Sequence, residues 1–251
     1  MNGLNSGGRS TRKILIKMIK IKTHLKEFES VIKIIGNISN ETDYVFSPEG
    51  LKIRAIDPSS TYMVVFTLSK DTFDSYEVEE EKILTLNNDL FAKIIKKVGK
   101  TELDIDFLED AITLGNKKES FSLKFFVGQK DDRPDPNPPC TSVWKTKCTD
   151  FTKTITELSS LGTICCLDGT DKLAIKIKSN MVEGEVLTTA EKIIEGDDCF
   201  CYYDISYITP IVESKNIFKD LRVGFGEELP LVIKGDNEYL NFVFVLAARV
   251  E

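Results

Sequence analysis

The stretch FSPEGLKIRAIDPSS, Phe46 to Ser60, decides how this chain is read. Two runs with strand character, Thr42–Ser47 and Gly50–Ile56, meet at Pro48-Glu49-Gly50, a turn signal that ends one strand and starts the next. Upstream, from Lys22 to Gly36, Leu25, Phe28, Ile32 and Ile35 recur at spacings of three, four and three, which is one face of a helix. Downstream, Tyr62–Leu68, Ser75–Val78 and Leu84–Leu86 read as strands. A second amphipathic window, Asn87 to Lys100, then carries Leu90, Phe91, Ile94, Ile95 and Val98, with Asn88 or Asp89 as the expected cap. Strands at Glu102–Phe107, Ala111–Leu114 and Ser120–Phe126 close this first half.

Gly128 to Thr141 reads GQKDDRPDPNPPCT, whose four prolines exclude a helix or a central strand. It reads as an extended surface linker near the middle of the chain. The order then starts again. A helix is expected from about Asp150 to Leu161, stopped by Gly162. Strands follow at Thr163–Leu167, Lys172–Lys178, Gly184–Thr189 and Asp198–Tyr203, then a short helix over roughly Ile205–Lys215 with Pro210 in its first turn. Leu221–Phe225, Leu229–Lys234 and Leu240–Ala247 are the last strands. GLKIRAID in the first half and DKLAIKIK in the second occupy corresponding places, an internal repeat of order more than of identity.

The chain of 251 residues carries 33 Lys and Arg against 40 Asp and Glu, a formal charge of −7, but unevenly. The two helical windows sum to +1 and +3 and residues 1–17 to +4, so the remainder carries −15. Lysines on the polar sides of two helices make a local basic surface inside an otherwise acidic molecule. No window approaches the length of an apolar membrane span, and Lys13–Lys22 lacks the continuous apolar core of a signal peptide. Residues 1–17 read as a disordered extension, with Met18 as a possible natural start. The six cysteines include no CxxC, and the only histidine is His24, so reduced thiols without a metal ion are expected.

Catalytic signatures are scarce. There is no GxSxG and no HExxH; Gly99-Lys100-Thr101 imitates the end of a phosphate loop but follows its helix and lacks the first glycine. Glu102, Asp104 and Asp106 share one face of a strand, and a solvated sheet face explains them better than a metal-dependent hydrolase does.

Three motifs in order carry a resemblance. Glu49-Gly50-Leu51 with Ile56-Asp57-Pro58-Ser59, then FGEELPLVIKG from Phe225 to Gly235, then LAARVE from Leu246 to Glu251, resemble the archaeal and eukaryotic sliding-clamp family, whose eukaryotic member is the proliferating cell nuclear antigen. Ala248 stands where that family usually has proline. The resemblance runs from about Met18 to Glu251 and implies an α+β fold with two similar clamp domains, 18–126 and 142–251, joined by a connecting linker at 127–141. Three such chains would close head to tail into a ring, helices lining the hole and antiparallel sheets outside.

The resemblance further implies site residues. Lys26, Lys33, Lys93, Lys96, Lys97, Lys100 and Lys153 would face duplex DNA without reading its sequence. Thr156, Ser206 and Glu213 stand at positions that are often basic, so the second domain would contact DNA less. Ile56, Met63, Val127, Pro230, Val245 and Ala247 would form a pocket for partner peptides. Phe121, Leu123 and Phe125 would lie on one subunit edge, and Met181, Val182 and Val186 on the other. The implied role is that of a polymerase processivity factor: no enzyme, no cofactor, no metal and no membrane. Its partners would be duplex DNA, copies of itself, a clamp loader, DNA polymerase, flap endonuclease and ligase, the enzymes docking through short hydrophobic-aromatic motifs. The location would be intracellular: the nucleus in a eukaryote, the cytoplasm or nucleoid in an archaeon. A subunit of a heterotrimeric clamp, or a clamp-fold scaffold with weakened DNA contact, are the alternatives.

Overall fold

A computed structural model describes residues 18–99, 101–194 and 198–249; the extension expected at 1–17, and Lys100, lie outside them. In the first half, β1 (Met18–Ile21) leads into α1 (Leu25–Ile38), then β2 (Glu41–Ser47), β3 (Gly50–Ile56), β4 (Tyr62–Ser69), β5 (Ser75–Tyr76) and β6 (Lys82–Asn87). After α2 (Asn88–Val98) come β7 (Leu103–Phe107), β8 (Ala111–Gly115), β9 (Ser120–Lys124) and β10 (Phe126–Val127). The second half runs β11 (Ser142–Lys147), α3 (Cys148–Ser159), β12 (Ile164–Asp168), β13 (Ala174–Lys178), β14 (Glu183–Leu187), β15 (Glu191–Ile194) and β16 (Phe200–Asp204). Two 3-10 stretches, Ile205–Tyr207 and Thr209–Asn216, precede β17 (Asp220–Phe225), β18 (Leu231–Asp236) and β19 (Leu240–Leu246).

The sheets turn the repeat of order into a repeat of topology. Their strand orders are β5-β1-β7-β8-β9, β14-β13-β12-β16, and a ten-stranded β10-β6-β2-β3-β4-β19-β18-β17-β11-β15. Adding ten to each number in β5-β1-β7-β8-β9 gives β15-β11-β17-β18-β19, and β6-β2-β3-β4 likewise gives β16-β12-β13-β14. The two halves join inside the chain where β4 pairs antiparallel with β19 over the whole of Tyr62–Leu68.

The helices form one layer over the inner sheet faces. α1 packs on α2 on one side and on the 3-10 stretch Thr209–Asn216 on the other, and that stretch packs on α3. α1 buries Leu25, Phe28, Val31, Ile32 and Ile35, and α2 buries Phe91, Ile95 and Val98. Strand alternation supplies the facing layer: in β3, Leu51, Ile53 and Ala55 point into the core while Lys52, Arg54 and Ile56 point out. Gly50 has φ +144°, and a Cβ there would sit 2.0 Å from the Leu68 carbonyl oxygen, so the Pro-Glu-Gly turn requires glycine.

Two local expectations are corrected. The side chain that caps α2 is Asn87, whose carbonyl accepts the Leu90 N–H at 3.0 Å. Asn88 is fully buried instead: its Oδ1 accepts from the Tyr44 hydroxyl at 2.8 Å, and its Nδ2 donates to the Ser39 carbonyl at 2.7 Å and the Thr42 hydroxyl at 2.8 Å. The helix expected over Ile205–Lys215 is two 3-10 stretches, separated at Ile208, with Pro210 in the first turn of the second.

Candidate functional site

Three surfaces gather the residues singled out in the sequence. The first is the outer side of the helical layer. Lys26 and Lys33 lie seven apart on α1, Lys93, Lys96 and Lys97 share the polar side of α2, and Lys153 projects from α3; all are exposed. Their charges are not equally free. Lys93 lies 2.6 Å from Asp89, Lys33 3.8 Å from Glu29 and Lys153 3.8 Å from Glu157, each one turn away on its own helix. Lys97 leans over the Phe121 ring at 4.9 Å, toward β9 and away from the layer. Lys26 and Lys96 have no carboxylate partner among the described residues. Lys100 lies outside them.

The second surface is the outer face of the ten-stranded sheet. Registers align Ile56 with Met63, Met63 with Val245, Val245 with Val232, Val232 with Gly224, Gly224 with Val143, and Val143 with Ile194. One apolar row therefore crosses seven strands. Of the pocket residues named from sequence, Ile56, Met63 and Val245 are adjacent in it, and Pro230 and Ala247 extend it by strand alternation. Val127 is not brought to them: it pairs with Leu84, three strands from Ile56, and is 84% exposed. The continuation through Val232, Gly224, Val143 and Ile194 was invisible in the sequence, because register across β17, β11 and β15 leaves no local signal.

The turn between β3 and β4 fixes the end of this row. Asp57 accepts the Tyr62 N–H at 2.8 Å, the Ser59 N–H at 2.9 Å and the Ser59 hydroxyl. Burial works against its charge, but these donors outweigh it and hold the carboxyl below the usual range. The Ile-Asp-Pro-Ser motif is thus an aspartate-organised turn that presents Ile56 and Met63 side by side.

Two residues beyond the apolar row lies a second one of different chemistry: Arg54, Val65, Val243, Lys234, Arg222 and Lys145 are in register. The linker lies along it. The Arg54 guanidinium, whose side chain is 10% exposed, donates to Asp131 at 2.8 Å, Asp135 at 3.0 Å, and the carbonyls of Arg133 at 2.9 Å and Pro134 at 3.1 Å. Lys52 adds a contact to Asp135 at 2.7 Å, and Lys234 donates to Asn137 at 2.8 Å. Arg133's hydrogen bonds are the main cause that keeps the Asp131 carboxyl well below its usual range, with Arg54 adding to it. Asp135 is also lowered: burial opposes its charge, and Lys52 and Arg54 overcome that. Nothing in the sequence marked Arg54, since its partners lie some eighty positions away.

The third surface comprises two of the sheet ends. β9 ends one sheet and β14 another. On β9, Phe121 is half-buried and Leu123 buried, with Phe125 half-buried just beyond. Met181 is 94% exposed in the turn before β14, Val182 borders it, and Val186 is half-buried within the strand.

Asp104 and Asp106 of the acidic strand are partnered: Lys20 lies 3.3 Å from Asp104, and Thr113 donates to Asp106 at 3.4 Å. Among the described residues, no three His, Cys, Asp or Glu side chains converge as metal ligands. The six cysteines are unpaired, and burial pushes the Cys148 and Cys166 thiols up to about 11 and Cys165 to about 12. None of the described helices is long and apolar enough to cross a membrane.

A duplicated α+β chain with a helical layer on one side of its sheets and a linker strapped to the outer face is a clamp-type fold. The chain is similar to the sliding clamps of the proliferating cell nuclear antigen family. The family description "Proliferating cell nuclear antigen, N-terminal domain" matches residues 20–133. A DNA polymerase sliding clamp of Thermococcus fumicolans is 26% identical over 242 residues, covering 90% of this chain and 96% of that protein. Among solved structures, the PCNA2-PCNA3 complex from Sulfolobus tokodaii aligns with a TM-score of 0.82 at 21% identity, covering 93% of this chain and 100% of that one. The structure of the C-terminal region of FEN-1 bound to A. fulgidus PCNA aligns at 0.81 and 18% identity, covering 94% and 99%.

Proposed function

We propose that this chain is a processivity clamp: it closes with copies of itself into a trimeric ring around duplex DNA and tethers replication and repair enzymes there. It acts as a binding platform and not as a catalyst. The carrying observation is the repeat. β14 is the counterpart of β4, and β9 is the counterpart of β19. Within the chain β4 and β19 satisfy each other, whereas β14 and β9 have no such partner among the described residues. The same junction made between chains pairs β14 of one copy with β9 of the next, a heterologous contact that closes into a ring. Residues 18–126 and 142–251 are the two domains of this reading, with 127–141 between them.

In such a ring the helical layer faces the hole, and Lys26, Lys33, Lys93, Lys96 and Lys153 meet phosphates as point charges. Contacts of that kind are independent of base sequence, so the ring slides and topology holds it in place. Ile56, Met63, Val245, Pro230 and Ala247 form the anchor pocket for peptides of a polymerase, a flap endonuclease, a ligase and a clamp loader. The peptide-bound A. fulgidus neighbour supports that assignment. The location in the cell follows the DNA.

Light scattering after gel filtration across a dilution series tests the reading. A mass three times that of the chain is expected, with salt-sensitive retention on closed circular DNA. A persistent monomer would overturn self-closure and favour a ring completed by a different clamp subunit, as in the two-chain Sulfolobus tokodaii complex.

A further inference from the structure

We infer that the outer face carries a second anchoring site, across the linker from the first, for an extended peptide segment with an apolar side chain next to Asp or Glu. The inference rests on reading this face as a docking surface. The site is a cavity of about 280 Å³ bounded by Pro138 and Cys140 of the linker, Val143, Val232, Ile193 and Ile194. Ile193 and Ile194 are 43% and 50% exposed on β15, the strand that ends the ten-stranded sheet among the described residues. A paired isoleucine on an open edge is a liability in a protein without a partner for it, and an exposed apolar patch of this kind marks an interaction site.

Continuity with the first pocket carries the argument. The row from Ile56 to Ile194 is a single apolar stripe in register, and Cys140 crosses it at Gly224. A Cβ on Gly224 would lie 2.7 Å from the Cys140 Sγ, so glycine makes the crossing possible. The linker therefore divides one stripe into two pockets, and only the Ile56 side belongs to the pocket described above.

Charge identifies the occupant. An adjoining cavity of about 290 Å³ is bordered by Lys145, Lys219, Arg222 and Lys234 with only Asp220 and Asp236. Lys145 pairs with Asp220 at 3.4 Å and Arg222 with Asp236, leaving Lys219 and Lys234 without a carboxylate among the described residues. An excess of positive charge beside an apolar cavity, on a chain of −7, complements an acidic and apolar segment. The open backbone of β15 can pair with such a segment in extended form. Nucleic acid lacks the apolar anchor, and this face is opposite the lysine-bearing helical layer.

The test selects displayed peptides of roughly twelve residues on the full-length protein, then measures each enriched clone as a fluorescein-labelled synthetic peptide by anisotropy. One group of clones is expected to combine an apolar residue with nearby Asp or Glu. That group should lose about tenfold affinity on Ile193→Ser with Ile194→Ser, severalfold on Lys219→Glu, and little on Ile56→Ser. If every clone ignores the β15 changes and responds only to Ile56→Ser, there is one pocket and the inference fails. If the basic change alone matters and duplex DNA competes, the site is a nonspecific anion surface and it fails equally. Ring mass and retention on circular DNA, measured on the same variants, report separately on the clamp reading.

Discussion

The two halves of this chain share one topology and divide the chemistry between them. In the first half, five described lysines project from two α-helices. In the second, α3 offers Lys153, and the counterpart of α2 is a proline-led 3-10 stretch carrying Glu213 and a single lysine, Lys215. Exposed apolar side chains run the other way: Leu161, Met181, Val182, Leu187, Ile193, Ile194 and Phe200 belong to the second half, against Leu90, Phe126 and Val127 in the first or at its end. A duplicated fold thus lets one copy keep the charge and the other the adhesive surface. Sheet topology is maintained by core alternation alone, so outward positions are free to diverge.

The largest expected effect tests the charge side of that division. Lys26→Glu with Lys96→Glu should lower retention on closed circular DNA more than tenfold at moderate salt and flatten its salt dependence, with ring mass unchanged. Lys153→Glu should cost about twofold or less, because only one lysine is reversed and it already faces Glu157. Equal losses from the two halves would refute the asymmetry. The edges come next. Phe121→Asp on β9 and Val186→Asp on β14 should each turn trimers into monomers in light scattering. An equimolar mixture of the two variants retains one intact β14–β9 junction and should give dimers but no trimers. Trimers in that mixture would mean that the ring closes through another surface.

A smaller effect compares the polar contacts beneath the two halves of the helical layer. Asn88→Ala strips partners from the Tyr44 hydroxyl, the Ser39 carbonyl and Thr42, and should cost about 2–3 kcal/mol in chemical denaturation. Ser214→Ala removes only the contact with the Cys148 thiol at 3.3 Å and should cost about 1 kcal/mol or less. The first half would then be the more tightly specified of the two.

What the sequence disclosed and what it hid follow from the range of each signal. Helices and strands were legible because periodicity is local: Leu25, Phe28, Ile32 and Ile35 announce α1 without help from anything distant. The repeat was legible as order, since the halves restart after the proline-rich linker. Hidden were the features that depend on register. Neither the apolar row through Val232, Val143 and Ile194 nor the basic row through Lys234 and Arg222 exists until five or more strands align. Asn88 reads as a cap because its type favours helix starts; its burial beside Tyr44 is a tertiary fact. The resemblance implies Val127 as a pocket residue, while β10 pairs with β6 and holds it at the far edge of the sheet.

The linker carries the comparison between the halves to its finest point, because it is bound unequally to them. Toward the first half it makes four hydrogen bonds to Arg54 and one to Lys52. Toward the second, among the described residues, it makes the Lys234 bond to Asn137 and a backbone bond from the Thr141 N–H to the Phe225 carbonyl. The linker thus belongs mechanically to the first half, and breaking its two ends should not be equivalent. Arg54→Gln should raise tryptic cleavage after Lys130 severalfold at neutral pH, whereas Lys234→Met should leave it nearly unchanged. The carboxylates give an independent reading. Asp131 and Asp135 titrate below their ordinary value near about 3.9, so their contribution is complete above that pH and fades as pH falls through the depressed folded values. In Arg54→Gln the Asp135 carboxyl should titrate closer to the ordinary value, with a smaller rise at Asp131, because Arg133 supplies most of its shift. Side-chain carbonyl NMR across an acid titration resolves the two. Equal movement at both would mean that Arg54 of the sheet, and not the linker's own Arg133, sets the Asp131 shift.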